Sequence, residues 1–276
     1  MERCLEIPVL DKGYVKLISS MDTDISPVLN ARVSSATESN VERDDKLREF
    51  LWKNQHTSVF ESLIAQIEIK IPIFCLRQLE RHRTVDNCEG VVIESLDENF
   101  RKYFSPNEQS GRYAEFKDDF YIPKAENVRG QSLTNKQKSE DNLAPETKDL
   151  LVGIYETAKD KGFYLYKEAL KYGASKEQAR INLTSNVYTI RRLTGSFLNW
   201  TNLLKLRLKE NVQFETLEYA KAIGKIIESL WPKCYSLFEE YSLHSITLSR
   251  KEKQQLLEVL TTLPEDILLA LRKKLR

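Results

Sequence analysis

Arg81-His82-Arg83 and Ser105-Pro106-Asn107-Glu108-Gln109-Ser110-Gly111-Arg112-Tyr113 are the two densest polar clusters in the chain, separated by a 21-residue spacer, 84–104. Three arginines and a histidine offer anion binding, because a guanidinium stays charged and forks onto phosphate oxygens. Asn107, Glu108 and Ser110 add acceptors and neutral donors, which suit a polar ring such as a nucleobase. An Arg-His-Arg alone at a helix end is ordinarily a solvated basic terminus matched to the helix dipole. The second cluster shifts the reading to a nucleotide pocket.

Elements on either side frame these clusters. Residues 14–18 alternate as an early strand, and Ser26-Pro27 starts a helix, with Ser as N-cap and Pro at the first helical position. Residues 42–54 read as a helix with Leu47, Phe50 and Leu51 on one face, and 56–62 as a loop. Residues 63–71 form the clearest strand: Ala65, Ile67, Ile69 and Ile71 point one way, Gln66, Glu68 and Lys70 the other. Pro72 ends it and opens a helix to about residue 83, on which Gln78 and Arg81 share a face. Beyond the clusters, 124–147 lacks an apolar period and reads as a flexible loop. Helices follow at 148–171, stopped by Gly173, then at 175–184 and 195–208, and a long closing helix at 214–241. A tail, 246–276, holds a helix capped by Ser249 and another begun by Pro264.

Composition narrows the function. The 276 residues suffice for one large domain or two small ones. Forty-two basic against 41 acidic residues leave a net charge of +1, without the basic surplus of a nucleic-acid binder. Nine glycines and abundant charge suit a helix-rich soluble protein. Cys4, Cys75, Cys88 and Cys234 show no metal spacing, and read as thiols in a reducing cytoplasm. No signal-peptide run and no window of roughly 18 apolar residues is present, so a cytoplasmic protein without a membrane span is expected.

The two clusters together resemble the signature of the flavin-dependent thymidylate synthases (the ThyX family), in which Arg-His-Arg is followed two residues later by Ser-x-Asn-Glu-x-Ser-x-Arg-Tyr. Here 21 residues stand in place of the two. Further blocks follow in the family's order across about 10–241: Ala31-Arg32-Val33-Ser34, the 56–62 loop, Phe120-Tyr121-Ile122-Pro123, Ala179-Arg180, Asn186-Val187-Tyr188-Thr189 and Leu206-Arg207-Leu208. Ser62, Ser196, Leu198 and Asn211 stand where the family has polar, mostly flavin-side residues, while Gln213 and Glu215 are retained.

The resemblance implies an α+β subunit with a small central antiparallel or mixed sheet flanked by helices. It implies a homotetramer with active sites between subunits, and a catalytic unit over 1–245 ahead of a helical extension. It further implies reductive methylation of dUMP to dTMP with FAD as cofactor and NADPH and methylenetetrahydrofolate as co-substrates. By the same resemblance Gln78, Arg81, Glu108, Ser110, Gly111, Arg112, Arg180 and Arg207 would meet dUMP, with Arg207 catalytic. Thr57, Arg81, His82, Arg83, Glu108 and Asn202 would meet FAD. Competing expectations are a flavin enzyme with altered pyrimidine chemistry and a catalytically silent nucleotide-binding paralogue.

Overall fold

The structure, a computed structural model, describes residues 5–33, 40–80, 105–108, 115–136, 138–209 and 212–259. Five strands build its main sheet: β1 (Glu6–Val9), β2 (Gly13–Met21), β3 (Ile64–Pro72), β4 (Ser105–Glu108) and, later in the chain, β7 (Tyr188–Ser196). Their order is β1-β2-β3-β7-β4, and every neighbouring pair is antiparallel. The fold is α+β, as the sequence led us to expect.

Strand β3 sits centrally because its alternation is the strictest in the chain. Ala65, Ile67, Ile69 and Ile71 are fully buried, while Gln66, Glu68 and Lys70 take the other face. That second face is polar but paired. Glu68 accepts from Tyr14 Oη at 2.9 Å and from Arg192 Nε at 2.7 Å, and Gln66 donates to Thr194 Oγ1 at 3.0 Å. Burial raises the Glu68 carboxyl, but its bonds to Arg192 and Tyr14 outweigh that and hold it below its ordinary value; burial, with the bond to Glu68, pushes the Tyr14 hydroxyl up to about 12.

Helices cover the apolar face. They are α3 (Ile73–Leu79), α6 (Phe197–Arg207) and α7 (Phe214–Leu230), and their buried side chains join the sheet in one cluster. Phe197, Trp200, Leu204, Ile223, Ile226 and Ile227 are almost fully enclosed there. The α6 N-terminus is fixed by a capping box: Ser196 Oγ accepts from Asn199 N, and Asn199 Oδ1 accepts from Ser196 N at 2.8 Å. Helix α6 therefore begins at Phe197, and Gly195, expected to open it, is the penultimate residue of β7.

Other elements depart from the sequence expectation for local reasons. Helix α1 (Ser26–Arg32) begins at Ser26 itself, whose hydroxyl accepts from Thr23 N at 3.2 Å. In α2 (Val41–Lys53), capped by Asn40, Leu51 and Trp52 face the core but Phe50 is exposed and stacks on His56. The segment read as a flexible loop carries a two-stranded hairpin, β5 (Gly130–Gln131) and β6 (Ser139–Glu140). Polar side chains close it: Gln131 Nε2 donates to the carbonyls of Lys136 and Lys138, and Ser132 Oγ to Glu140 at 2.7 Å. Apolar periodicity is blind to such a device.

Helix α4 (Pro145–Lys171) starts at a proline in its first turn and ends before Gly173, whose φ of +85° is the left-handed value glycine accepts without strain. Residues 175–184 form only a short helix, α5 (Lys176–Ala179), then a 3-10 turn, Arg180–Asn182. The expected 214–241 helix is broken at Trp231. Pro232 opens α8 (Pro232–Phe238), and Asp24 accepts from the backbone N–H groups of Lys233 and Cys234, both at 2.9 Å. Ser249 caps α9 (Arg250–Val259) through Glu252 N at 3.2 Å. The helix expected from Pro264 lies outside the described residues, as does the 84–104 spacer. No helix among the described residues is long and apolar enough to cross a membrane.

Candidate functional site

Strand β7 organises the site. Period-two alternation puts Thr189, Arg191 and Leu193 on its buried side, and Arg191 is 6% exposed. A guanidinium taken out of water needs carboxylate partners. Arg191 Nη1 bonds Glu80 Oε1 and lies 3.7 Å from Glu108 Oε2. Glu108 also accepts from Thr189 Oγ1 at 3.1 Å, across the β4–β7 ladder where it is registered opposite Arg191. Glu80 immediately precedes the Arg81-His82-Arg83 cluster, and Glu108 stands two residues before Ser110. The residue before the first cluster and a member of the second are therefore tied to one side chain. Arginine and hydrogen-bond contacts hold the Glu80 carboxyl below its ordinary value, although burial opposes them.

Helix α3 delivers Gln78 next to this knot. The Gln78 amide lies between two residues of the α7 start: its Nε2 donates to Gln213 Oε1 and its Oε1 accepts from Thr216 Oγ1 at 3.2 Å. The Gln78 carbonyl accepts from Arg207 Nη2 at 2.8 Å. Arg207, the last residue of α6, is half-buried, and burial lowers its pKa below the ordinary guanidinium value; a guanidinium there remains a cation at neutral pH. Gln78 and Arg207 are thus brought together, and Glu108 is joined to Glu80, two residues beyond Gln78.

Arg180 stands apart on its 3-10 turn, exposed and with no side-chain partner among the described residues. Thr57 belongs to a 3-10 turn, Thr57–Phe60, that packs on α6, the helix carrying exposed Asn202. Neither side chain is engaged by a described residue, so both are open to an external polar group. Arg81, His82, Arg83, Ser110, Gly111, Arg112 and Asn211 lie outside the described residues. The substituted positions have local roles: Ser62 accepts from Asn30 Nδ2 at 2.9 Å, and Ser196 caps α6.

Sequence reasoning missed Arg191 and Glu80. The signal was present, since alternation in 188–196 places a charged residue on the face that Leu193 buries. It also missed a cavity of about 390 Å³ between α3, the α7 start and the hairpin segment. Gln213 and Glu215 line it. Glu215 accepts from Tyr121 Oη at 3.3 Å, and burial raises its pKa above the usual carboxylate value. Folded protein then retains a proton that the unfolded chain releases above about 4.5, so stability falls as pH rises through that window. Glu215→Gln should therefore unfold at a higher temperature than the parent at pH 8, with the gap closing near pH 4. Equal melting curves at pH 8 would remove the buried charge as a cost.

Shape places the protein first. The chain superimposes on the UMP/dUMP methylase PolB from Streptomyces cacaoi, solved with 5-Br dUMP, with a TM-score of 0.72 over 87% of this chain and 100% of that one, at 23% identity. At that identity the likeness speaks for an α+β fold of this class alone. Sequence then narrows it. The family model for thymidylate synthase complementing protein matches residues 16–233. The flavin-dependent thymidylate synthase of Thermus thermophilus is 36% identical over 262 residues, 95% of this chain and 88% of that protein. That of Kosmotoga olearia is 36% identical over 243 residues, covering 86% and 95%. The chain belongs to the thymidylate synthase complementing protein family, that of the flavin-dependent thymidylate synthases.

Proposed function

We propose that the protein is a flavin-dependent thymidylate synthase, converting dUMP to dTMP with methylenetetrahydrofolate as one-carbon donor and NADPH as reductant. The observation carrying this reading is the convergence of Glu80 and Glu108 on Arg191. It ties the residue that precedes the first cluster and a member of the second to one side chain, beside the Gln78–Arg207 contact. A bound FAD would supply the redox chemistry, leaving binding, orientation and electrostatics to the protein. The open side chains of Thr57 and Asn202 fit a polar cofactor edge. With Arg81, His82, Arg83 and Glu108 they are the residues we assign to hold it.

On the substrate side we assign Gln78, Arg81 and Glu108 to orient the nucleotide. Ser110, Gly111, Arg112 and Arg180 take its phosphate. Arg207 stabilises negative charge developing on the uracil ring, as a preorganised donor does in an oxyanion site. The catalytic unit in this reading spans 1–245, with 246–276 as a helical extension. The working assembly is a homotetramer of cytoplasmic protein, with sites between subunits. Exposed apolar side chains on and near α4 support it: Leu150, Ile154, Tyr164, Tyr172 and Ile181 are each at least half exposed in the single chain. Arg180 adjoins Ile181 and would reach a nucleotide held by another subunit.

Removing one charge-assisted phosphate contact costs roughly 1.5–3 kcal/mol, on the order of 10- to 100-fold in affinity. Arg180→Ala should weaken dUMP binding by that factor, read by calorimetry; equal affinity in both proteins would break the assignment. The reading as a whole is tested by visible absorption after FAD is added and the excess removed. A flavin band that NADPH bleaches and that returns with dUMP and the folate, together with dTMP, is the expected result. Retained flavin without dTMP would mean altered pyrimidine chemistry; no retained flavin would mean a nucleotide-binding paralogue.

A further inference from the structure

The 390 Å³ cavity lies in the range of roughly 300–1,000 Å³ occupied by small-molecule sites. None of the residues assigned above to dUMP or FAD lines it. Its walls are aromatic. Phe74 and Tyr121 stack with centroids 6.2 Å apart and planes 25° from parallel, and Tyr155 of α4 and Phe214 of α7 add two more rings. Rings disposed this way accept a flat π system.

Two opposite charges face the same space. Arg129 lies over the Phe214 ring, 5.4 Å from its centroid, and forms no ion pair among the described residues. The Glu215 carboxylate accepts from Tyr121 Oη and feels the Arg129 charge across the cavity without forming an ion pair with it. A ligand that donates an N–H to Glu215 and offers a carbonyl oxygen to Arg129 would bridge the two. Thr184 adds a buried hydroxyl oxygen with no partner among the described residues.

We propose that this cavity is a second ligand site, for a planar nitrogen heterocycle carrying a lactam edge, an N–H beside a C=O. Guanine-type purines and pterins share that edge. The purine source would make the site regulatory, and the pterin source would make it a docking place for the folate. Gln213 gives it a route to the nucleotide side, since it lines the cavity while its Oε1 holds Gln78.

The site is tested by calorimetric titration of the full chain, saturated with dUMP, with guanosine in one arm and 5-formyltetrahydrofolate in the other. Binding of one of them is expected, weakened at least tenfold in Tyr155→Ala and in Glu215→Gln. Tyr155 is 39% exposed on α4 and Glu215→Gln is isosteric, so both variants fold. Binding of guanosine alone identifies a purine site, and binding of the folate alone a pterin site. Binding of neither by the parent, or binding that both variants leave unchanged, overturns the proposal. Binding is measured without turnover, so failure here and failure of the thymidylate synthase reading are separate results.

Discussion

Arg207→Ala is expected to lower dTMP turnover by about 10²- to 10³-fold, the loss seen when one preorganised donor to a developing anion is removed. Arg207 ends α6, is only half-buried, and donates to the Gln78 carbonyl at 2.8 Å. Deleting such a bond costs about 1 kcal/mol of stability, which leaves the fold intact. The experiment compares single-turnover dTMP formation with the denaturation midpoint of both proteins. A large kinetic loss with a small stability change supports the assignment. Unchanged turnover would take Arg207 out of the site.

Arg191→Met should be the most damaging substitution to the fold near the site. It removes the shared cation from Glu80 and Glu108, whose carboxylates keep part of their surface in water. The loss is therefore that of a charge-assisted hydrogen bond, roughly 1.5–3 kcal/mol, rather than that of a fully buried pair. Glu80 keeps its exposed contact with Arg77 at 2.8 Å, so the lower end of that range applies. Because Glu80 adjoins the first signature cluster and Glu108 belongs to the second, dUMP and flavin binding should both fall together with the urea midpoint. The depressed Glu80 pKa adds a sign. Its contribution is present above the ordinary value of 4.5 and is lost as pH falls through the lower folded value. The parent–variant gap in stability should therefore narrow in acid. A variant with unchanged midpoint and unchanged dUMP affinity would show that the convergence on Arg191 is incidental.

Several of these features could be read from the chain alone. Residues 64–72 alternate so strictly that one face had to be buried, and the antiparallel sheet grew from them. Pro72 and Gly173 mark their boundaries because a missing N–H or a left-handed φ acts within one or two residues, whereas Pro145, which opens α4, lies in a polar stretch that reads as loop before a helix begun at 148. The same local logic was available, and went unused, for Arg191, whose alternation with Leu193 puts a charge on the core side. Pro232 likewise announced the break between α7 and α8, but the capping carboxylate, Asp24, lies some 208 positions away in the chain and could not be inferred from that neighbourhood.

What the sequence by itself determined was the strand alternation, the breakers and the chemical types gathered in the two clusters, since each is a property of a few adjacent residues. Only the tertiary structure decided that Glu80 and Glu108 meet on Arg191, that Arg207 reaches Gln78, and that a polar segment folds into a hairpin roofing an aromatic cavity. The Arg191 and Arg207 contacts join residues that 100 or so positions separate, and they form because a buried charge or amide must find its partner wherever the folded chain places it. The hairpin, by contrast, is local but closed by polar side chains that no apolar period reveals.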